Sequence, residues 1–294
     1  MSFILFFFFV FGTIIGSFLN VVVLRYGTKT LSGRSLCFSC GKTLRWFELI
    51  PLFSFLAQEG RCRGCKARIS WQYPLVELLT GLVFLSIAWK QLGSSGLELS
   101  ASGLSSYSLF ILHPSSFILH LLLWSLLIAL SVYDLKHKII PNALVYSASL
   151  FSFFLLLISS NFELRTSGFF LDLWSGFFFS APFALIWFFS KGRAMGLGDA
   201  KLVVMFPWIL GLSRGLSALI IGFWIGAGVS LTALLLKRLL PAVPTRFFPA
   251  LRAKLAHLGM KTELPLGPFL VLGLFLVYVF GWDVAGLGLL LQAR

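Results

Sequence analysis

An all-α polytopic membrane protein, with about eight transmembrane helices and a small cytoplasmic insertion, is the fold class that three observations predict. First, 58% of the 294 residues are hydrophobic, only 12% are charged and mean hydropathy is +0.94, far from the balance of a soluble globular domain. Second, apolar runs long enough to cross about 30 Å of hydrocarbon at about 1.5 Å per residue recur along the chain. Third, the basic residues are divided among separate connecting segments and form no single stripe. That is the distribution of a membrane topology, not of a nucleic-acid surface, so no nucleic-acid partner is expected.

The first element, from Phe3 to Leu24, lacks a basic leading segment and a small-residue cleavage signature, so it reads as a retained transmembrane helix. Residues 1–24 are thus a first helix, 25–73 a loop between spans, and 74–294 a multi-helix membrane core. Apolar runs and their breakers place the later spans at about 74–92, 117–133, 143–159, 171–190, 200–212, 215–236 and 266–290. The segment 200–212 is shorter than the roughly 17 residues an ordinary span needs, so it is tilted or begins before Asp199. The serine-rich stretch 93–116 and the proline-containing stretch 237–264 read as linkers. For the second, an amphipathic surface helix is the alternative, because Phe247, Phe248 and Leu251 alternate with Arg246, Arg252 and Lys254. No repeat of fixed period is visible.

With these spans, all but Lys90, Arg165, Arg214 and Arg294 of the 24 basic residues fall on one side. The positive-inside rule makes that side cytoplasmic and both termini external, so the net charge of +14 is topological.

Two carboxylates then share the cytoplasmic edge: Asp134 in Tyr133-Asp134-Leu135-Lys136-His137-Lys138, and Asp199 in Gly196-Leu197-Gly198-Asp199-Ala200-Lys201. An ionisable group beside hydrocarbon is costly unless it has a partner or a function. Two adjacent Asp groups cannot both ionise cheaply. They can share one proton, the ionised member drawing a proton from water while the neutral one donates to a scissile carbonyl. Gly196 and Gly198 would admit close backbone approach or a positive φ. The competing reading pairs each Asp with a local lysine, Asp134 with Lys138 and Asp199 with Lys201. Among other carboxylates only Glu77, one turn inside the second span, competes for attention. His137, near Asp134, reads as an interfacial residue and not a base.

The loop before the second span holds Cys37-Phe38-Ser39-Cys40 and Cys62-Arg63-Gly64-Cys65, which contain all 4 cysteines of the chain. Two C-x2-C pairs at this separation suit a tetrahedral structural zinc site. Arg61, Arg63, Lys66 and Arg68 would favour the thiolates. Redox-active pairs are the alternative, which a reducing cytoplasm disfavours.

Together these residues resemble the type IV prepilin peptidase family, the bifunctional leader peptidases and N-methyltransferases of bacterial pilus and type II secretion systems. The similarity runs through Gly16-Ser17-Phe18-Leu19-Asn20, the cysteine loop with Glu48-Leu49-Ile50-Pro51, and Tyr73-Pro74-Leu75-Val76-Glu77. It continues through Asp134 to Ile140-Pro141-Asn142, the Gly196 to Lys201 motif and Pro265-Leu266-Gly267-Pro268. The resemblance implies a membrane aspartic endopeptidase of the bacterial inner membrane that removes the basic leader of prepilins or pseudopilins at the cytoplasmic face. It implies Asp134 and Asp199 as catalytic pair, with Gly196, Gly198 and Lys201 in support. It further implies methylation of the new N-terminal amine from S-adenosylmethionine, with Gly60 associated with methyl transfer, and zinc on Cys37, Cys40, Cys62 and Cys65. A proton-coupled transporter would also carry membrane Asp residues, though normally at the bilayer midplane within repeated helices. A non-catalytic zinc-binding assembly protein would leave the Asp pair idle.

Overall fold

The computed structural model describes residues 2–27, 33–93, 114–159, 167–193, 195–239 and 265–286. Most of the linkers expected at 93–116 and 237–264, including the alternative surface helix, lie outside the described residues. Regular structure among the described residues is helical, apart from two isolated antiparallel bridges in the cysteine loop.

The elements are α1 (Ser2–Arg25), a single 3-10 turn (Trp46–Leu49), α2 (Phe53–Ala57), α3 (Gln72–Gly93), α4 (Pro114–His137), α5 (Asn142–Ser159) and α6 (Ser167–Ser190). They continue with α7 (Leu197–Val203), α8 (Met205–Leu210), α9 (Leu212–Leu239) and α10 (Gly267–Phe280). All eight predicted segments are helical. Six of the helices, α1, α3, α4, α5, α6 and α9, are long and apolar enough to cross a membrane, and the protein is a multi-pass membrane protein.

Two segments depart from the predicted bounds. The helix expected to reach residue 290 stops at Phe280, where Gly281 turns left-handed at φ 70° and its N–H bonds back to the Val277 carbonyl. The short segment at 200–212 begins before Asp199, one of the two readings its length suggested, at Leu197, but is divided between α7 and α8. Pro207 has no N–H to donate to the Val203 carbonyl four residues back, so the helix breaks at Val204. Conversely, α4 runs on to His137, which puts Asp134 inside its last turn. Lys136 and His137 complement the C-terminal end of that helix, and Lys138, at φ 56°, closes it through an N–H bond to the Asp134 carbonyl at 2.7 Å.

Contacts divide the chain into two compact units: Met1–Val132 with Tyr146–Ile158, and Tyr133–Val145 with Ser159–Arg294. In the first unit α1 packs mainly on α3. Gly12 and Gly16 make this possible, because a Cβ at Gly12 would lie 2.9 Å from Gly81 Cα, and one at Gly16 2.8 Å from Glu77 Cα. This is the small-residue spacing that lets membrane helices approach. Asn20, buried on α1, adds a polar tie by donating to the Tyr73 carbonyl while accepting from Gln72 Nε2. The second unit repeats the device: Gly222 on α9 meets Gly273 on α10, where an added Cβ would reach 2.7 Å from Gly222 Cα.

Candidate functional site

Asp134 and Asp199 both belong to the second unit. Asp134 is buried on the last turn of α4, and Asp199 is part-buried on the first turn of α7. The two carboxylates lie within electrostatic reach of one another. The Gly267 N–H, at the start of α10, donates to the Asp134 carboxylate. Three glycine positions frame the pair differently. At Gly267 an added Cβ would stand 2.7 Å from Asp134 Oδ2, and at Gly198 one would stand 2.6 Å from Ile140 Cβ. Ile140 Cδ1 also lies 3.5 Å from the Gly267 Cβ position, so this side chain fills the space between the α7 and α10 starts. Around Gly196 the space is open, the nearest atom to an added Cβ being Gly198 N at 3.9 Å.

This arrangement corrects one expectation. Neither Gly196 nor Gly198 has a positive φ, so close approach alone explains glycine at 198, and the atoms approached are those of Ile140. Among the described residues no ion pair joins Asp134 to Lys138 or Asp199 to Lys201. Lys201 Nζ donates to Asn142 Oδ1 at 2.8 Å, tying α7 to the first residue of α5, and the ion pair formed among the described residues is Lys42–Glu48. His137 stacks on Tyr133 with ring centroids 4.4 Å apart. The positioning roles of Ile140 and Gly267 escaped the sequence reading. Both stand in quoted motifs, but nothing in their spacing announces that they touch.

The other described carboxylates in this unit have structural partners. Asp172 accepts the Leu212 N–H at 2.8 Å and caps α9. Asp283 accepts the hydroxyls of Ser213 and Ser217, on the same first turns. In the first unit, buried Glu77 accepts the Leu52 N–H at 2.8 Å and the Ser17 side chain.

The four cysteines converge in the first unit. Each pair occupies one turn of the same design: Cys37 and Cys62 accept from Gly41 and Lys66, and their own N–H groups donate to Lys42 and Ala67. The bridges Leu36–Thr43 and Arg61–Arg68 close the two turns, and the residue after each second cysteine is left-handed, Gly41 at φ 70° and Lys66 at φ 59°. The sulfurs all lie within 4.8 Å of one another, with Cys37 and Cys65 at 3.8 Å. Thiolate–metal bonds of about 2.3 Å in a tetrahedron set sulfurs about 3.8 Å apart. The cluster therefore fits a single ion after small side-chain shifts. Backbone N–H groups of Cys40 and Ser39 pull the Cys37 thiol down to about 6, which favours its thiolate form. Glu48 braces the first turn by accepting the Arg45 N–H at 2.9 Å and pairing with Lys42. Gly60 takes φ 65° and rests on Phe55, whose Cζ an added Cβ would meet at 3.0 Å.

Comparison with known proteins bears directly on these two centres. The bacterial peptidase A24 N-terminal domain matches residues 10–91, and the type IV leader peptidase family matches residues 121–231. A protein of Bacillus subtilis described as a prepilin leader peptidase/N-methyltransferase is 32% identical over 255 residues, covering 83% of this chain and 89% of that one. The chain belongs to the type IV leader peptidase family. A Myxococcus xanthus protein of the same description is 34% identical over 235 residues, covering 78% of this chain but 63% of its own length. A Pseudomonas aeruginosa member is 28% identical over 305 residues, covering 92% of this chain and 88% of its own. No solved structure matches the chain significantly. The N-terminal match contains the cysteine cluster, and the leader-peptidase match contains both Asp134 and Asp199.

Proposed function

We propose that this family member cleaves the basic leader of a prepilin or pseudopilin through Asp134 and Asp199, and then methylates the exposed N-terminal amine from S-adenosylmethionine. The observation that supports the reading is that these two carboxylates lie within electrostatic reach of one another, with the Gly267 N–H donating to Asp134. In this mechanism the pair holds one proton. The ionised carboxylate takes a proton from water as its oxygen attacks the scissile carbonyl, and the neutral one protonates the carbonyl oxygen. Collapse of the tetrahedral intermediate then breaks the C–N bond, with a proton passed to the leaving amine. The Gly267 N–H fixes the orientation of the Asp134 carboxylate, and Lys201 positions α7 through Asn142. The open space at Gly196 leaves room for the substrate backbone.

A pilin-like substrate would bring its own apolar helix into the bilayer and present its basic leader to the acidic pair at the cytoplasmic face of a bacterial inner membrane. The four cysteines would hold one structural zinc, which supplies a crosslink for a loop with little core of its own. Gly60 is assigned to the methyl-transfer step through the family resemblance, and its left-handed backbone gives a separate structural reason for glycine there.

The test is incubation of the purified chain with a prepilin, with and without S-adenosylmethionine, reading product masses. Cleavage, followed by a methyl increment only with the donor, is the expected result. Asp134→Asn and Asp199→Asn should each abolish cleavage while the protein still inserts. Substantial processing by either variant rules out the shared-proton mechanism.

A further inference from the structure

The cysteine loop exposes more large apolar side chains than a solvated loop carries without a partner. On α2, Phe53 and Leu56 are 66% and 73% exposed, while Phe55 between them is buried against Gly60 and Trp71. At helical spacing Phe53 and Leu56 share one face, and Phe55 points the opposite way. Trp71, immediately before α3, is 69% exposed.

The place of this face on α3 is set by a hydrogen bond. Leu52, the residue that starts α2, holds φ 59° and donates its N–H to buried Glu77. Glu77 lies five residues into α3 from Gln72, about 7.5 Å along the helix axis. α3 is long and apolar enough to cross a membrane, so this bond ties the start of α2 to the first turns of an apolar helix. That placement suits the boundary of hydrocarbon and headgroups, the zone that tryptophan anchors and the apolar faces of surface helices occupy. Arg61, Arg63, Lys66 and Arg68 follow in the next turns; Arg63 lies over the Phe47 ring at 5.1 Å, and none of the four forms an ion pair with a described carboxylate.

We propose that the Phe53–Leu56 face of α2, with Trp71, is inserted in the membrane interface, and that the basic second turn meets anionic lipid headgroups. The occupant is lipid, because the surface is continuous with the span that carries it and the adjoining charge is cationic. This anchoring holds the metal turns against the membrane, and it is independent of whether the Asp pair cleaves a leader.

The test places a benzophenone-bearing phenylalanine analogue at position 53 or, separately, at 56 in the full metal-loaded chain. The protein is reconstituted in nanodiscs containing phosphatidylglycerol and phosphatidylcholine. Phe7 on α1, exposed on a span, is the lipid-facing reference. Both positions are exposed, so neither replacement disturbs packing. Lipid adducts at both sites within about threefold of the Phe7 yield are expected for interfacial insertion. Replacing phosphatidylglycerol with phosphatidylcholine should lower the adducts at 53 and 56 but not at 7. Adducts to a second copy or to added prepilin in place of lipid would overturn the proposal, as would photoproducts of water alone. Equal yields in neutral bilayers would overturn the part assigned to the basic turn.

Discussion

At Gly198 and Gly267 one added methyl group would fall at 2.6 and 2.7 Å from an existing atom, whereas at Gly196 it would meet open space. The three glycines therefore separate by role. Gly267→Ala should displace the Asp134 carboxylate, and Gly198→Ala should push α7 off Ile140. Each should lower the cleavage rate on the order of a hundredfold, the scale of a misplacement near 1 Å. Gly196→Ala should leave thermal stability unchanged and act on KM, because its methyl would project where substrate backbone is proposed to approach. Melting curves and steady-state kinetics on all three check this, and a uniform loss of stability would erase the distinction. A carboxylate pair sharing one proton also requires kcat/KM to fall on both sides of an optimum pH. A rate that rises steadily with pH would point to a single base.

Among the elements, the two cysteine turns are of one design but differ at one position, because Lys66 occupies the left-handed site that Gly41 fills in the other. A side chain there costs about 1 kcal/mol relative to glycine. Lys66→Gly should therefore slow metal loss to a chelator, whereas replacing any of Cys37, Cys40, Cys62 or Cys65 with Ser should remove the metal, read by elemental analysis against one zinc per chain. Glu48 gives the first turn a pH dependence. The Arg45 N–H above all, then the Lys42 ammonium, holds its carboxyl below the usual range. Its contribution is complete above the unfolded value of about 4.3 and is lost as pH falls through the lower folded value. Protection of the Arg45 amide from hydrogen exchange should fall over that range in the wild type and be weak at every pH in Glu48→Gln. In the α1–α3 pair, Gly16→Val should force the helices apart and lower stability by about 1–3 kcal/mol, measured by thermal unfolding in detergent.

For the whole molecule, the distribution of lysine and arginine predicts that the stretch 94–113 is external while the cysteine loop and the stretch 240–264 are cytoplasmic. Alkaline phosphatase fused within 94–113 should be active, and fused within 240–264 inactive; the reverse pattern would invert the proposed topology. Span positions, the cysteine tetrad and the two suspect carboxylates were legible in the chain, because hydropathy, ligand spacing and the cost of a buried charge are local properties. The early stop of α10 at Gly281 and the break at Val204 were less legible, since their signals, Gly281 and Pro207, sit within otherwise apolar segments. Sequence alone determined a helical membrane protein with a four-thiol site and two acidic groups beside hydrocarbon. Only the tertiary structure brought those two groups within electrostatic reach, set Ile140 and Gly267 beside them, and tied Leu52 to Glu77. Those outcomes depend on contacts between distant segments, set by glycine-permitted backbone approach, and no local pattern encodes which glycine faces which neighbour.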